Sequence, residues 1–204
     1  MRATKFLPDN FYHHKTLNLS SSRSVIWMNL AAIPLLFLYG WMFSHLINIF
    51  RPFNPSQNGL LGFFTEFSVL ELVFLLLSII LMLILHELVH GIFFWLFTRE
   101  GPRFALKAGY AFAAAPKWYL PWMQYIIVGL SPFVIISVIS IFLTWFVVSS
   151  FIPYLLLIAT FNAAGSLGDL IVVGWVLNQP KTILVKDEGD IFSSYAPDIS
   201  LHIR

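Results

Sequence analysis

Residues 68–97 read SVLELVFLLLSIILMLILHELVHGIFFWLF. The stretch is longer than the roughly 20 apolar residues a helix needs to cross the hydrocarbon of a bilayer. Near its end, His86, Glu87 and His90 place three ionisable groups within five residues. A greasy helix carrying such a cluster fixes both the solvent and the chemistry to look for. The rest of the composition agrees with a membrane protein. Apolar residues make up 58% of the 204, charged residues only 11%, and the chain has 21 Phe and 7 Trp. A soluble domain would carry about 25% charged residues, and a net charge of +2 beside so much apolar surface excludes a disordered chain. There is no Cys, so any metal must be held by His, Asp or Glu. The scattered positive charge excludes a nucleic-acid partner.

Working outward, three more stretches are long and apolar enough to span: about Val25 to Phe50, Trp122 to Val148, and Phe151 to Leu177. Arg51-Pro52-Phe53-Asn54-Pro55 closes the first span and Gly101-Pro102 follows the second. Ser149-Ser150 and Pro153 leave room only for a tight hairpin between the last two. Twenty-three largely polar residues before the first span argue against a cleavable leader. Four spans put both termini on one side. That side carries Arg2, Lys5, Lys15, Arg23, Arg99, Arg103, Lys107, Lys117, Lys181, Lys186 and Arg204, and the other only Arg51. By the positive-inside tendency the termini are expected in the cytoplasm. The expected fold is an all-α polytopic membrane protein, one domain over residues 1–204 with a cytoplasmic tail from 178. Small β hairpins are expected in the cytoplasmic loop and in the tail.

His86 and His90 lie four apart, on one helical face with Cβ atoms about 5–6 Å from each other, so both imidazoles can reach one ion. Glu87 between them suits the general base of a metal-assisted hydrolysis. A merely structural role, pinning helices by hydrogen bonds, requires neither this spacing nor three costly groups in hydrocarbon. The metzincin extension of the motif is excluded, because Phe93 and Leu96 stand where it needs Gly and His. Glu100 lies past the end of the same helix and cannot easily fold back.

Depth selects the third ligand. At 1.5 Å per residue, His90 lies about 13 Å from Arg99, and His86 about 6 Å deeper. Glu71 is about 22 Å from His86, Glu66 is farther, and His45 is about 33 Å from Arg23, which puts all three toward the outer surface. Asp169, about 18 Å from Lys181, matches the depth of the two histidines. Asn162 and Ser166 precede it on one helical face and are candidates for binding substrate or an oxyanion. Ala163, Ala164, Gly165 and Gly168 permit close helix approach. The tail acids Asp187, Glu188, Asp190 and Asp198 compete with Asp169 as ligands, since a tail can fold back.

Other polar residues carry less. His13 and His14 read as solvated tail residues, and Ser137, Ser140 and Thr144 as a packing stripe on the third span. Residues 104–116 read as a connecting loop or, less often, as a hairpin able to pair with an extended peptide. The tail from Ile183 to Phe192 reads as a short hairpin over the cytoplasmic face.

These residues together resemble a bacterial family long catalogued as a domain of unknown function and described as putative zincin peptidases. The resemblance rests on Leu7-Pro8, His86-Glu87-Leu88-Val89-His90-Gly91, Ser131-Pro132, Asn162 through Asp169, and the Asp- and Gly-rich tail. More distantly the chain is similar to site-2-type intramembrane metalloproteases, in which a motif helix and a later Asp bind zinc. It departs from them in lacking the proline and the Asp-Gly order of their later motif. The expectation is a zinc-dependent metallopeptidase of the bacterial cytoplasmic membrane, with Glu87 as base and His86, His90 and Asp169 on Zn2+. Its substrate would be a membrane-associated peptide, and its site would lie in the cytoplasmic half of the bilayer. The reading from another class is a non-catalytic metal-binding membrane protein, a small transporter or adaptor.

Overall fold

A computed structural model describes residues 1–52, 68–107 and 110–198. Residues 53–55 of the first turn, Glu66, Ala108-Gly109 of the central loop and Arg204 lie outside the described residues. In chain order the elements are strand β1 (Phe11–Asn18), helix α1 (Ser22–Phe50), helix α2 (Val69–Thr98), strands β2 (Arg103–Lys107), β3 (Tyr110–Ala114) and β4 (Tyr119–Pro121), helices α3 (Trp122–Leu143), α4 (Ile152–Gly165) and α5 (Leu167–Leu177), and strands β5 (Leu184–Asp187) and β6 (Ile191–Pro197). Among the described residues α1, α2 and α3 are long and apolar enough to cross a membrane. Large apolar side chains stand exposed along them, among them Phe37, Trp41, Leu70, Leu77 and Ile84, as helices facing lipid require.

Local chemistry sets the ends of α2. Ser68 and Glu71 form a reciprocal cap: the Ser68 hydroxyl accepts from the Glu71 amide at 3.2 Å, and Glu71 Oε2 accepts from the Ser68 amide at 2.9 Å. Arg99, with φ of 58°, ends the helix in the left-handed conformation and returns its amide to the Trp95 carbonyl at 2.7 Å.

The fourth expected span is a correction. It is not one helix over Phe151–Leu177 but two, with a break at Ser166. The Ser166 hydroxyl bonds the Asn162 carbonyl at 2.8 Å, competing with the helical ladder, and Gly165 and Gly168 flank the break with low helix propensity. The third span is also shorter than expected. It ends at Leu143 in a turn whose Thr144 and Val147 carbonyls accept from the Arg51 guanidinium, the latter at 2.6 Å.

The chain divides into two compact units. The first comprises residues 1–28, 87–131 and 168–204. It holds a four-stranded antiparallel sheet in the order β1-β6-β5-β4 and a separate β2–β3 hairpin. The N-terminal segment that carries His13 and His14 is therefore a paired strand, with His13 exposed. Along β6 the burial alternates, with Phe192, Ser194 and Ala196 inward. Leu120, Ile183, Val185 and Phe192 from the sheet region meet Phe94, Tyr125, Val128, Val172, Val173 and Val176 from the helices in one core. Gly129 permits this contact, since a Cβ there would lie 2.6 Å from Val173. The second unit comprises residues 29–86 and 132–167. Phe43 and Ile47 of α1 pack there on Ile152, Leu156, Ala159 and Ala163 of α4, and Gly40 lies against Thr160. Small residues allow this approach.

Candidate metal centre

The first unit brings Glu87, His90 and Asp169 into one neighbourhood. His90 Nε2 lies 3.3 Å from Asp169 Oδ1, and the Glu87 carboxylate acts electrostatically on the same ring. His90 is buried and Asp169 half-buried. The other ring nitrogen of His90, Nδ1, donates to the Val128 carbonyl at 3.0 Å. That carbonyl is available because of a proline. In an α-helix it would accept from the amide four residues on, but residue 132 is Pro and has no N–H. The Ser131 hydroxyl, at 2.8 Å, and His90 take the vacated oxygen.

In the second unit His86 is held by the same logic. Its Nδ1 lies 3.0 Å from Asn162 Oδ1, while Asn162 Nδ2 donates to the Pro132 carbonyl at 3.1 Å. A backbone carbonyl only accepts, so it fixes which end of the amide faces it and leaves Oδ1 toward His86. His86 must then carry its proton on Nδ1. For both histidines the outer partner puts the proton on Nδ1 and the lone pair on Nε2, the tautomer of a metal-ligating imidazole with an oriented second nitrogen. The donor chemistry of His86, His90 and Asp169, each offering one ligand atom, fits a borderline-soft ion such as zinc.

The two residues expected to contact substrate or an oxyanion, Asn162 and Ser166, are both buried and hydrogen-bonded within the protein. Asn162 is fully buried and both ends of its amide are engaged within the protein. The Ser166 hydroxyl is engaged by the Asn162 carbonyl. The polar group at Asn162 is legible from sequence; its partner is not, because only the fold sets it against His86.

The remaining polar residues fall elsewhere. Glu100 is bonded to Lys5 Nζ and, at 3.0 Å, to Trp118 Nε1, which holds this exposed carboxyl below its usual range. Glu71 caps α2, His45 stacks on Trp41, and His13 bonds Thr16 at 2.7 Å on β1. Of the tail acids, Asp190 accepts from the Tyr110 hydroxyl at 3.0 Å. Asp187 is buried in the first unit, and its Oδ2 accepts from the Tyr125 hydroxyl at 2.8 Å. The glycine of the motif also has a role. A Cβ on Gly91 would lie 2.5 Å from the Phe104 ring and 3.2 Å from Pro102, so Gly91 lets β2 pack directly beside His90.

No curated protein and no solved structure matches the chain. Residues 79–184, just over half of the chain, match the family described as putative zincin peptidase. The matched segment runs from ahead of the two histidines to the start of β5 and takes in His86, Glu87, His90, Asn162 and Asp169, and with that match the chain belongs to this family.

Proposed function

We propose that the protein is a membrane-embedded zinc-dependent metallopeptidase that hydrolyses peptide bonds of membrane-associated substrates. The observation that carries the reading is the approach of Asp169 to His90 from a distant helix, with His90 held by the tautomer-fixing carbonyl of Val128. His86 stands one turn earlier on the same helix and on the same face, and its outer nitrogen is oriented by Asn162. His86, His90 and Asp169 would hold the ion. When bound, zinc supplies Lewis acidity that polarises a peptide carbonyl and makes water more acidic.

Glu87 is the general base. It takes a proton from the attacking water as the water oxygen bonds the scissile carbonyl carbon, then returns that proton to the amine as the C–N bond breaks. Asn162 positions His86 rather than touching substrate, and the Ser166 hydroxyl caps its backbone carbonyl.

The orientation with both termini cytoplasmic is supported by the sheet of the first unit. It gathers the N-terminal strand, β4 just before α3 and the C-terminal strands, and the unit that holds it contains every basic residue of the chain except Arg51. The site would then lie in the cytoplasmic half of the bilayer. A broken fourth span, α4 followed by α5, places its break at the buried Ser166, whose hydroxyl is engaged by the Asn162 carbonyl, as membrane depth demands.

The test is detergent-purified protein reloaded with zinc and offered quenched-fluorescent peptides that carry an apolar membrane anchor. Wild type should cleave. Glu87→Gln should keep about one zinc per chain and lose cleavage by about 10²–10⁴-fold. Undiminished cleavage by Glu87→Gln would remove the proposed mechanism. Zinc bound by both proteins with cleavage by neither would favour a non-catalytic metal-binding protein.

A further inference from the structure

Asp187 is a buried carboxylate that the proposed mechanism does not use. It lies on β5, beyond the segment matched to the family. Tyr125 Oη donates to Oδ2 at 2.8 Å, and the Gly189 amide donates to Oδ1 at 2.7 Å. Both donors are neutral. The turn that carries them is clamped from outside. Gly189 adopts φ of 102°, and a Cβ there would lie 2.3 Å from Phe112, so β3 packs flush against it. Tyr110 bonds Asp190 at 3.0 Å on the same turn. Tyr125 is three residues before Val128, on the same helix, so the clamp closes next to the carbonyl that orients His90. His90 and Asp169 both lie within electrostatic reach of the Asp187 carboxylate.

A buried carboxylate with only neutral partners is costly. Burial pushes Asp187 up to about 6, so near neutral pH it is mainly ionised at a cost to the fold. Substitution by Asn would relieve that cost, and the fold by itself gives no reason to keep the charge.

We propose that Asp187 is a positioning residue of the metal centre: fastened to Tyr125 on the same helix as the Val128 carbonyl that orients His90, it holds a fixed negative charge within reach of the site and favours a divalent cation there. The inference rests on the metal-site reading above. Asp187 does not ligate; it acts through the field on the ion and through Tyr125, which fastens the hairpin to α3.

The experiment measures Zn2+ affinity of the full-length, detergent-purified protein by competition with a chromophoric chelator, together with the visible spectrum of the Co2+-loaded protein. Asp187→Asn keeps an acceptor oxygen for the Gly189 amide and an NH2 that can donate to the Tyr125 hydroxyl, but removes the charge. It should weaken Zn2+ binding about 10–100-fold, with Co2+ bands at the wild-type positions, while the metal-free fold becomes more stable at pH 7.5. A purely structural residue would lower stability instead. Tyr125→Phe keeps the charge and should weaken binding less. Wild-type affinity in Asp187→Asn overturns the proposal. Displaced Co2+ bands also overturn it, by making Asp187 a ligand. If Asp187→Asn fails to fold, Asp187→Ser is measured in its place, and wild-type affinity in that variant overturns the proposal. A wild type that binds no better than His86→Ala removes the metal site itself and this inference with it, an outcome unlike the others.

Discussion

His90 Nε2 and Asp169 Oδ1 lie 3.3 Å apart, joining the helix of the motif to a helix far along the chain. A neutral imidazole and a carboxylate at this separation each offer a lone pair that one shared cation can take. Asp169→Ala should therefore reduce zinc content much as His86→Ala or His90→Ala does, measured by elemental analysis after gel filtration. Glu71→Ala, whose carboxylate caps α2 instead, should leave it unchanged. Full zinc in Asp169→Ala would break the assignment.

Asn162 is expected to act on the metal through His86. Asn162→Leu removes the acceptor for His86 Nδ1 and strands the Pro132 carbonyl. Zinc affinity should fall about 10–100-fold, and any peptide KM should change less than kcat. A change confined to KM would instead point to substrate contact.

Pro132 offers a sharper test of the same design. Pro132→Ala restores an amide that can reclaim the Val128 carbonyl from His90 Nδ1. The helix should become more regular and the metal-free protein more resistant to heat, while zinc affinity drops by up to about tenfold. Affinity equal to wild type would mean that the carbonyl does not govern the ring.

At Gly91 the expected defect is steric. Gly91→Ala sets a methyl group 2.5 Å from Phe104, and overpacking of this kind costs about 1–3 kcal/mol. Phe104→Ala in the same chain should restore most of the lost thermal stability. Gly174→Ala, where a Cβ would meet nothing within 4 Å, should cost nothing measurable.

The pH dependence of the metal-free protein should carry the signature of Asp187. Its carboxyl sits at about 6 in the fold against an ordinary 3.8, chiefly through burial and partly offset by the Gly189 and Tyr125 hydrogen bonds. A raised acid binds its proton more tightly when folded, so stability should increase as pH falls from about 6 toward about 4 and be lowest above 6. Asp187→Asn should remove that slope, with a gain at pH 7.5 of about 2–3 kcal/mol at most. Parallel melting curves of the two proteins across pH 4–8 would contradict it.

What the sequence by itself determined is what depends on composition and local period. An apolar run of thirty residues with two histidines four apart must be a membrane-length helix with both rings on one face, and depth counted along the chain favours Asp169 as their companion, which the fold places 3.3 Å from His90. Caps at Ser68 and the hairpin turn at Gly189 are likewise local. The tertiary structure alone decided what depends on two segments meeting. The Val128 carbonyl orients His90 only because Pro132 vacates it and α2 runs past it. Asn162 becomes a partner of His86 only because α4 sets its amide against α2. The N-terminal tail becomes a strand only because β6 presents an unpaired edge to it. Asp187, one tail acid among four by sequence, is singled out because backbone pairing of β5 carries it beneath Tyr125. Hydrogen bonds between distant segments have no periodic trace in either one, since a lone carbonyl or amide looks the same in sequence whether its partner is water, a neighbouring turn, or an imidazole across the fold.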